Sequence, residues 1–437
     1  MRQTANPCSV LLSAIGLVTA FGCGSSPGNG DAGAVGGATT GTAGGRSGTA
    51  NSGGSSTGGI RAIGDNQSAG GSVNKGGSTS LAGATSTGPS GPPIAAGWYH
   101  SCAVVNDKVL CWGYNFAGQL GNNSTTDSPL PVEVQDLPAG VRAIGLGEYS
   151  TCALTGGGVQ CWGSNSDGRL GNGTTVASRV PVQVQGLTSG VNAIAVGFDH
   201  ACALLDDNLK CWGYNSHGQL GYPSSAGKTS PVAVPGLGSV PTAIAAGYYF
   251  TCALVDGGVK CWGYNAQGML GNNSYNDSAV PVQVQGLTSG VTAISAGYNH
   301  ACALANGIVL CWGYNGAGEL GNSNVTYSLI PVAVQGLAPG VTSIVAGGYH
   351  TCALINGEAQ CWGQNLDGEL GINTSENNPV PTPVQDLGAD VSFIAVGGCH
   401  TCAWVSGSVK CWGNNQFGQL GNNTKTPSLL PVPVQLP

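Results

Sequence analysis

An all-β fold, a seven-bladed β-propeller of four-stranded antiparallel blades, is predicted by three features of this chain. A pattern around CAL and CWG returns every 50 residues, seven times, with no gap in the register. Each return carries four short runs of strand character separated by turn residues, the layout of a propeller blade. Composition agrees, since 76 glycines and only 8% charged residues leave little material for amphipathic helices.

The second unit shows the elements in order. Pro181 to Gln185 reads as strand A, and its leading proline suits an edge position where no ladder N–H is needed. A Gly-Leu-Thr-Ser-Gly loop leads to strand B at 191–197, then strand C at 201–205 and strand D at 208–213. C and D form a hairpin whose central dipeptides are Asn106-Asp107, Gly156-Gly157, Asp206-Asp207, Asp256-Gly257, Asn306-Gly307, Asn356-Gly357 and Ser406-Gly407. Most of these suit a type I′ turn, in which both central residues need positive φ.

That turn sets the register. Thr155 opposes Gly158 in a hydrogen-bonded pair, and alternation makes Leu154/Val159 non-bonded, Ala153/Gln160 bonded and Cys152/Cys161 non-bonded. A non-bonded pair brings Cα atoms to about 4.5 Å, within reach of a disulfide. Seven disulfides are therefore expected: Cys102–Cys111, Cys152–Cys161, Cys202–Cys211, Cys252–Cys261, Cys302–Cys311, Cys352–Cys361 and Cys402–Cys411. Each closes a short loop, worth about 2.5 to 3 kcal/mol by chain-entropy reasoning. Trp162 projects from the other face of the hairpin, opposite small Thr151, and Trp112/Ser101 and Trp212/Ala201 repeat this pairing. The seven CWG tryptophans therefore read as blade-to-blade packing.

The chain ends complement one another. The first folded unit starts at strand B near Ile94 with no A before it, and the chain stops on a strand A at 431–435. Ring closure is expected from the C-terminal strand joining the N-terminal three in one composite blade, so that truncation before Leu430 would open the ring.

Two segments precede the propeller, which is placed at 93–437. Residues 1–23 read as an export signal, with Arg2 ahead of an apolar run at 10–22 that is too short to span a bilayer. Ala20-Phe21-Gly22-Cys23 resembles a bacterial lipoprotein signal, making Cys23 the candidate lipidation site. Anchoring at an outer membrane or cell surface, and plain secretion, are both open outcomes, and an oxidising location fits the paired cysteines. Residues 24–92 are Gly, Ser, Thr and Ala with few large apolar groups, so they read as a flexible tether spanning about 45 to 50 Å. The 20 acidic and 13 basic residues are scattered, with no basic cluster to neutralise phosphates, so nucleic acid is not an expected partner.

AIAVGFDHACAL at 193–204, CWGYNSHGQLG at 211–221 and SPVAVPGL at 230–237 together resemble the regulator of chromosome condensation repeat. The resemblance covers about 94–435 and implies the propeller fold. It brings several functions with it, since members include a nuclear guanine-nucleotide exchange factor, a plant ultraviolet-B receptor and a secreted bacterial inhibitor of β-lactamases. Cysteine at both hairpin positions departs from the eukaryotic members and suits an exported one.

Antiparallel order puts the B–C and D–A connections on one face, here the top. The B–C loops contribute Trp98, Tyr99, Tyr149, Phe198, Tyr248, Tyr249, Tyr298 and Tyr349, and the D–A loops contribute Phe116 and Phe417. Exposed aromatics with varied polar neighbours suit a protein-binding surface. A non-enzymatic scaffold with a protein partner is the first expectation, and glycan binding by ring stacking is the second. Exchange-factor-like and disulfide-exchange activities rank below both.

No catalytic constellation, cofactor or metal site is expected. His100, His200, His300, His350 and His400 recur at one position, where Ser150 and Phe250 stand in other units, and they read as hydrogen-bonded turn residues. Cys399-His400-Thr401-Cys402 has redox-motif spacing, but Cys402 already has a blade partner, so Cys399 reads as an odd thiol, free or capped.

Overall fold

The computed structural model describes residues 94–324 and 326–437. The expected export signal with Cys23 and the expected tether at 24–92 lie outside the described residues. Blade 1 consists of β1 (Ile94–Ala96), β2 (His100–Val105), β3 (Lys108–Gly113) and β4 (Ser128–Glu133), paired antiparallel in that order. Six further four-stranded sheets repeat it at 141–183, 191–233, 243–283, 291–333, 341–383 and 391–433, and we number these blades 2 to 7. The result is the seven-bladed propeller, with no helix among the described residues. β1 is fully buried whereas β4 is half-exposed, so the first strand of each blade lines the axis and the fourth forms the rim. Pro131 and its equivalents therefore sit on an outer edge, where a missing N–H costs nothing.

The expected mode of closure is corrected. The last strand, Ser428–Pro433, pairs with Ser408–Gly413 of its own blade, with Cys411 opposite Val432, and blade 1 is assembled entirely from residues 94–133. Each blade is thus a contiguous B-C-D-A set, and no composite blade exists. The cause lies in the D–A connection, which folds back so that strand A continues the sheet it has just left. A chain that begins on B and ends on A fills seven such blades without exchanging a strand.

Hairpin register follows the alternation argument: Thr155 opposes Gly158, Leu154 opposes Val159 and Cys152 opposes Cys161. All seven expected disulfides form, with Cα–Cα separations of 4.0 to 4.1 Å. Both central turn residues have positive φ at Asn106-Asp107 and Gly156-Gly157, and again at the turns of blades 4 to 7. Asp206-Asp207 departs, since neither residue takes that conformation and strand pairing stops at Leu204–Leu209. Asp206 instead accepts a hydrogen bond from Asn192.

Hydrophobic layers fill the seams between blades. Trp212 of blade 3 packs in one cluster with Cys152, Leu154, Val159 and Cys161 of blade 2, so the disulfide face of one blade meets the tryptophan face of the next. The same arrangement closes the ring, where Trp112 of blade 1 packs with Cys402, Val409 and Cys411 of blade 7. All seven CWG tryptophans are fully buried. Their expected packing role is realised.

Candidate functional site: the aromatic face

The loop joining β1 to β2, residues 97–99, and its equivalents converge on the axis. Their backbones form a closed belt in which each blade donates one N–H to the next: Trp98 to Gly147, Glu148 to Phe198, Phe198 to Gly247, Tyr248 to Tyr298, Tyr298 to Gly347, Gly348 to Gly397, and Gly398 back to Gly97. The approach is close enough to require glycine at the first loop position. A Cβ on Gly197 would lie 2.5 Å from the Gly247 carbonyl oxygen and 2.5 Å from the His200 ring.

Beneath the belt, the periodic histidines prove to be struts between blades rather than turn residues. His100 Nε2 lies 2.8 Å from Thr151 Oγ1 of blade 2, and His200–Thr251, His300–Thr351, His350–Thr401 and His400–Ser101 repeat the contact at 2.7 to 2.9 Å. Thr151 donates its only hydroxyl proton to the Gln119 carbonyl at 2.9 Å, so it accepts from the imidazole and the proton sits on Nε2. Burial holds all five histidines at about pKa 3, with neighbouring His charges a lesser cause at His100 and His350, so they stay neutral. Where the strut is absent, both halves are absent: Ser150 faces a blade with Ala201, and Phe250 a blade with Ala301.

Above the struts, all ten expected aromatics gather on one face, nine of them in a single network of ring contacts that Phe116 joins only through Tyr114. Trp98 touches Phe198 of blade 3 at 5.3 Å, Tyr298 of blade 5 at 4.9 Å and Tyr349 of blade 6 at 6.2 Å, so its indole spans the axis. Gly398 makes room for it, because a Cβ there would lie 2.8 Å from Trp98 Cε3. Tyr248 and Tyr249 join through Phe198, while Tyr149 and Phe417 join through Tyr99.

The expectation that Trp98 and Tyr99 stand exposed is corrected: each is only 6% exposed. Trp98 fills the channel mouth, where side chains from opposite blades come within ring contact. Phe116, at 68%, stands furthest into solvent, and the other seven rings are half-buried. Tyr114, Tyr214 and Tyr264, missed in the sequence reading, extend the network to Phe417, Tyr249 and His217. Their signal was present, since Tyr recurs directly after CWG.

Charge is distributed unevenly. The loops at 97–99 and 114–127 with their equivalents hold nine acidic and two basic residues, against nine and seven in the other described residues. Between blades 2 and 3, Arg169 pairs with Asp167 at 2.7 Å and with Asp199 at 2.5 Å. Burial raises nearby Glu148 to about 8, opposed by its hydrogen bond with Tyr149. Burial likewise lifts Glu319 and Glu369 to about 7. Asp367, Glu369 and Cys399 bring donor atoms within 4.8 Å of one another. Cys402 is bridged to Cys411, so the Cys399-His400-Thr401-Cys402 spacing does not form a redox pair.

A closed ring of disulfide-stapled blades, with one aromatic and acidic face, places the molecule among the repeat-built propellers. The chain belongs to the regulator of chromosome condensation (RCC1) repeat family, whose model matches at 106–154, 156–204, 206–254, 256–304, 306–354, 356–404 and 406–437. The family repeat starts in the C–D turn, so its last copy carries only D and A, and residues 94–105 supply the missing B and C. A second RCC1 repeat model matches 191–219, 242–268 and 291–319.

Among solved structures the chain is similar to Prp20p from Saccharomyces cerevisiae, described with its binding properties to Gsp1p and histones. That match has 23% identity and a TM-score of 0.69, covering 75% of this chain and 86% of Prp20p. Yeast RCC1 (Prp20) bound to Kap60 matches at 20% identity and TM-score 0.70, covering 86% of this chain and 91% of that one. Human WBSCR16 matches at 26% identity and TM-score 0.63, covering 71% and 85%.

Proposed function

We propose that this chain is an exported, non-enzymatic scaffold that binds a protein partner through its top face. The observation that carries the proposal is the continuous ring network, in which a buried floor of Trp98 and Tyr99 supports half-exposed rings and the protruding Phe116. Rigid aromatics on a preorganised floor lose little entropy on binding and dominate interface energetics. The yeast relative, described with binding to Gsp1p and histones and crystallised with Kap60, supports partner binding as a use of this fold. Seven disulfides favour an oxidising compartment, and with it an exported chain held on its 24–92 tether, lipidated at Cys23 or freely secreted. A non-enzymatic role is supported by the five histidines, which are buried and committed to struts.

The test is site-specific photocrosslinking in the source cell. A photoreactive phenylalanine analogue at Phe116 should give discrete protein adducts, while the same analogue at Ile308, which is also exposed but on the opposite face, should not. Equal labelling from both sites, or none, would remove the top-face reading. Glycan binding is the second reading, favoured by the stacked and accessible Tyr114–Phe116 pair at 16°, and glycan-array binding abolished by Phe116→Ala would select it.

A further inference from the structure

Resting on that reading, we infer that the partner presents a cationic, Lys/Arg-rich segment to the top face. Six at least partly exposed acidic groups against two basic ones line this face, Glu148, Glu319 and Glu369 being buried, whereas the other described residues are nearly balanced. One of the two basic groups, Arg169, is already neutralised between Asp167 and Asp199. The other, Lys425, lies 4.0 Å from Asp127. The rim carboxylates Asp167, Asp277 and Glu376 are partly or fully exposed.

Aromatic rings and carboxylates interleave around the face. His217 stacks on Tyr249 at 5.3 Å while its Nδ1 lies 2.9 Å from Asp277, and Glu148 shares its hydrogen bond with Tyr149. Ring faces and carboxylates both attract ammonium and guanidinium groups, and both repel an acidic partner. A face of one sign also steers an oppositely charged partner during encounter, with a strength that falls as salt rises.

The experiment is fluorescence anisotropy on the full chain with labelled twelve-residue peptides alternating Gly with Lys, Glu or Ser. The lysine peptide should bind at least tenfold more tightly than the other two, and raising salt from about 50 to about 300 mM should weaken it several-fold. Glu376→Lys on the top face should weaken binding at least threefold, and Glu358→Lys, at an exposed position on the opposite face, should leave it unchanged. Equal affinity for the lysine and glutamate peptides would overturn the inference, as would equal losses in the two variants. Crosslinks from position 116 that the lysine peptide fails to displace would overturn the cationic partner alone and leave the binding face standing. Absence of any crosslink would instead remove the face itself.

Discussion

His400 of the last blade lies 2.7 Å from the hydroxyl of Ser101 in the first, although 299 residues separate them in the chain. Ser101 in turn donates to the Gln419 carbonyl at 3.0 Å, and that carbonyl also accepts the Trp112 indole N–H at 2.8 Å. Closure is therefore made by the same seam chemistry that joins neighbouring blades, without strand exchange.

Ser101→Ala leaves the buried His400 N–H unsatisfied and should destabilise the protein by about 1 to 3 kcal/mol in denaturant titration. Adding His400→Phe recreates the Phe250–Ala301 seam found between blades 4 and 5 and should recover part of the loss. A double variant as unstable as the sum of the two singles would show that the pair is not coupled.

Stability should peak near neutral pH. The five strut histidines bind a proton at about 6.5 when unfolded but only near 3 when folded, so stability falls as pH drops below about 6.5. Glu148, Glu319 and Glu369 work the other way. Their folded values of about 8, 7 and 7 exceed the unfolded 4.5, so stability declines as pH rises through that window. Between pH 4.5 and 6.5 five histidines outweigh three glutamates, and above 6.5 only the glutamates act. The melting temperature should therefore be highest near pH 6.5, and Glu148→Gln should flatten the alkaline limb.

Removing one staple by Cys302→Ala with Cys311→Ala should cost about 2 to 3 kcal/mol, the entropy of one short loop. The loss should vanish when wild type and variant are compared after full reduction. A persistent difference would point to packing of the sulfurs on Trp362 instead.

Deleting residues 428–437 strips the outer strand of blade 7 and exposes the edge of Ser408–Gly413, but it touches neither the backbone belt nor the His400–Ser101 contact. The truncated protein should remain a closed ring of unchanged radius in small-angle scattering while becoming prone to self-association through the bare edge. An opened ring would show that closure depends on Val434, which the deletion removes from the seam with Trp112.

Much of this fold was legible because blades are local objects. The cysteine pairs were readable from Thr155, Gly158 and two-residue alternation, since a tight hairpin sets its register within ten residues. The ten aromatics could be assigned to one face for the same reason. Which of them stay accessible could not be read, because the Trp98 indole is covered by Phe198, Tyr298 and Tyr349 from three other blades. The strut pairing of His and Thr was present in the repeat but invisible as a contact, since it links position i of one blade to i+51 in the next.

By itself, then, the amino-acid sequence determined the number of blades, the strand content, the hairpin register and the disulfides, all of which follow from interactions spanning a few residues. Only the tertiary structure decided to which blade each strand A belongs. Strand A lies between D and B in a cyclic repeat, and periodicity is unchanged by where the repeat is cut. The same holds for how the ring closes and for which aromatics form the floor rather than the surface. Those choices depend on backbones meeting at a common axis, where hydrogen bonds and ring contacts join groups that chain order keeps far apart.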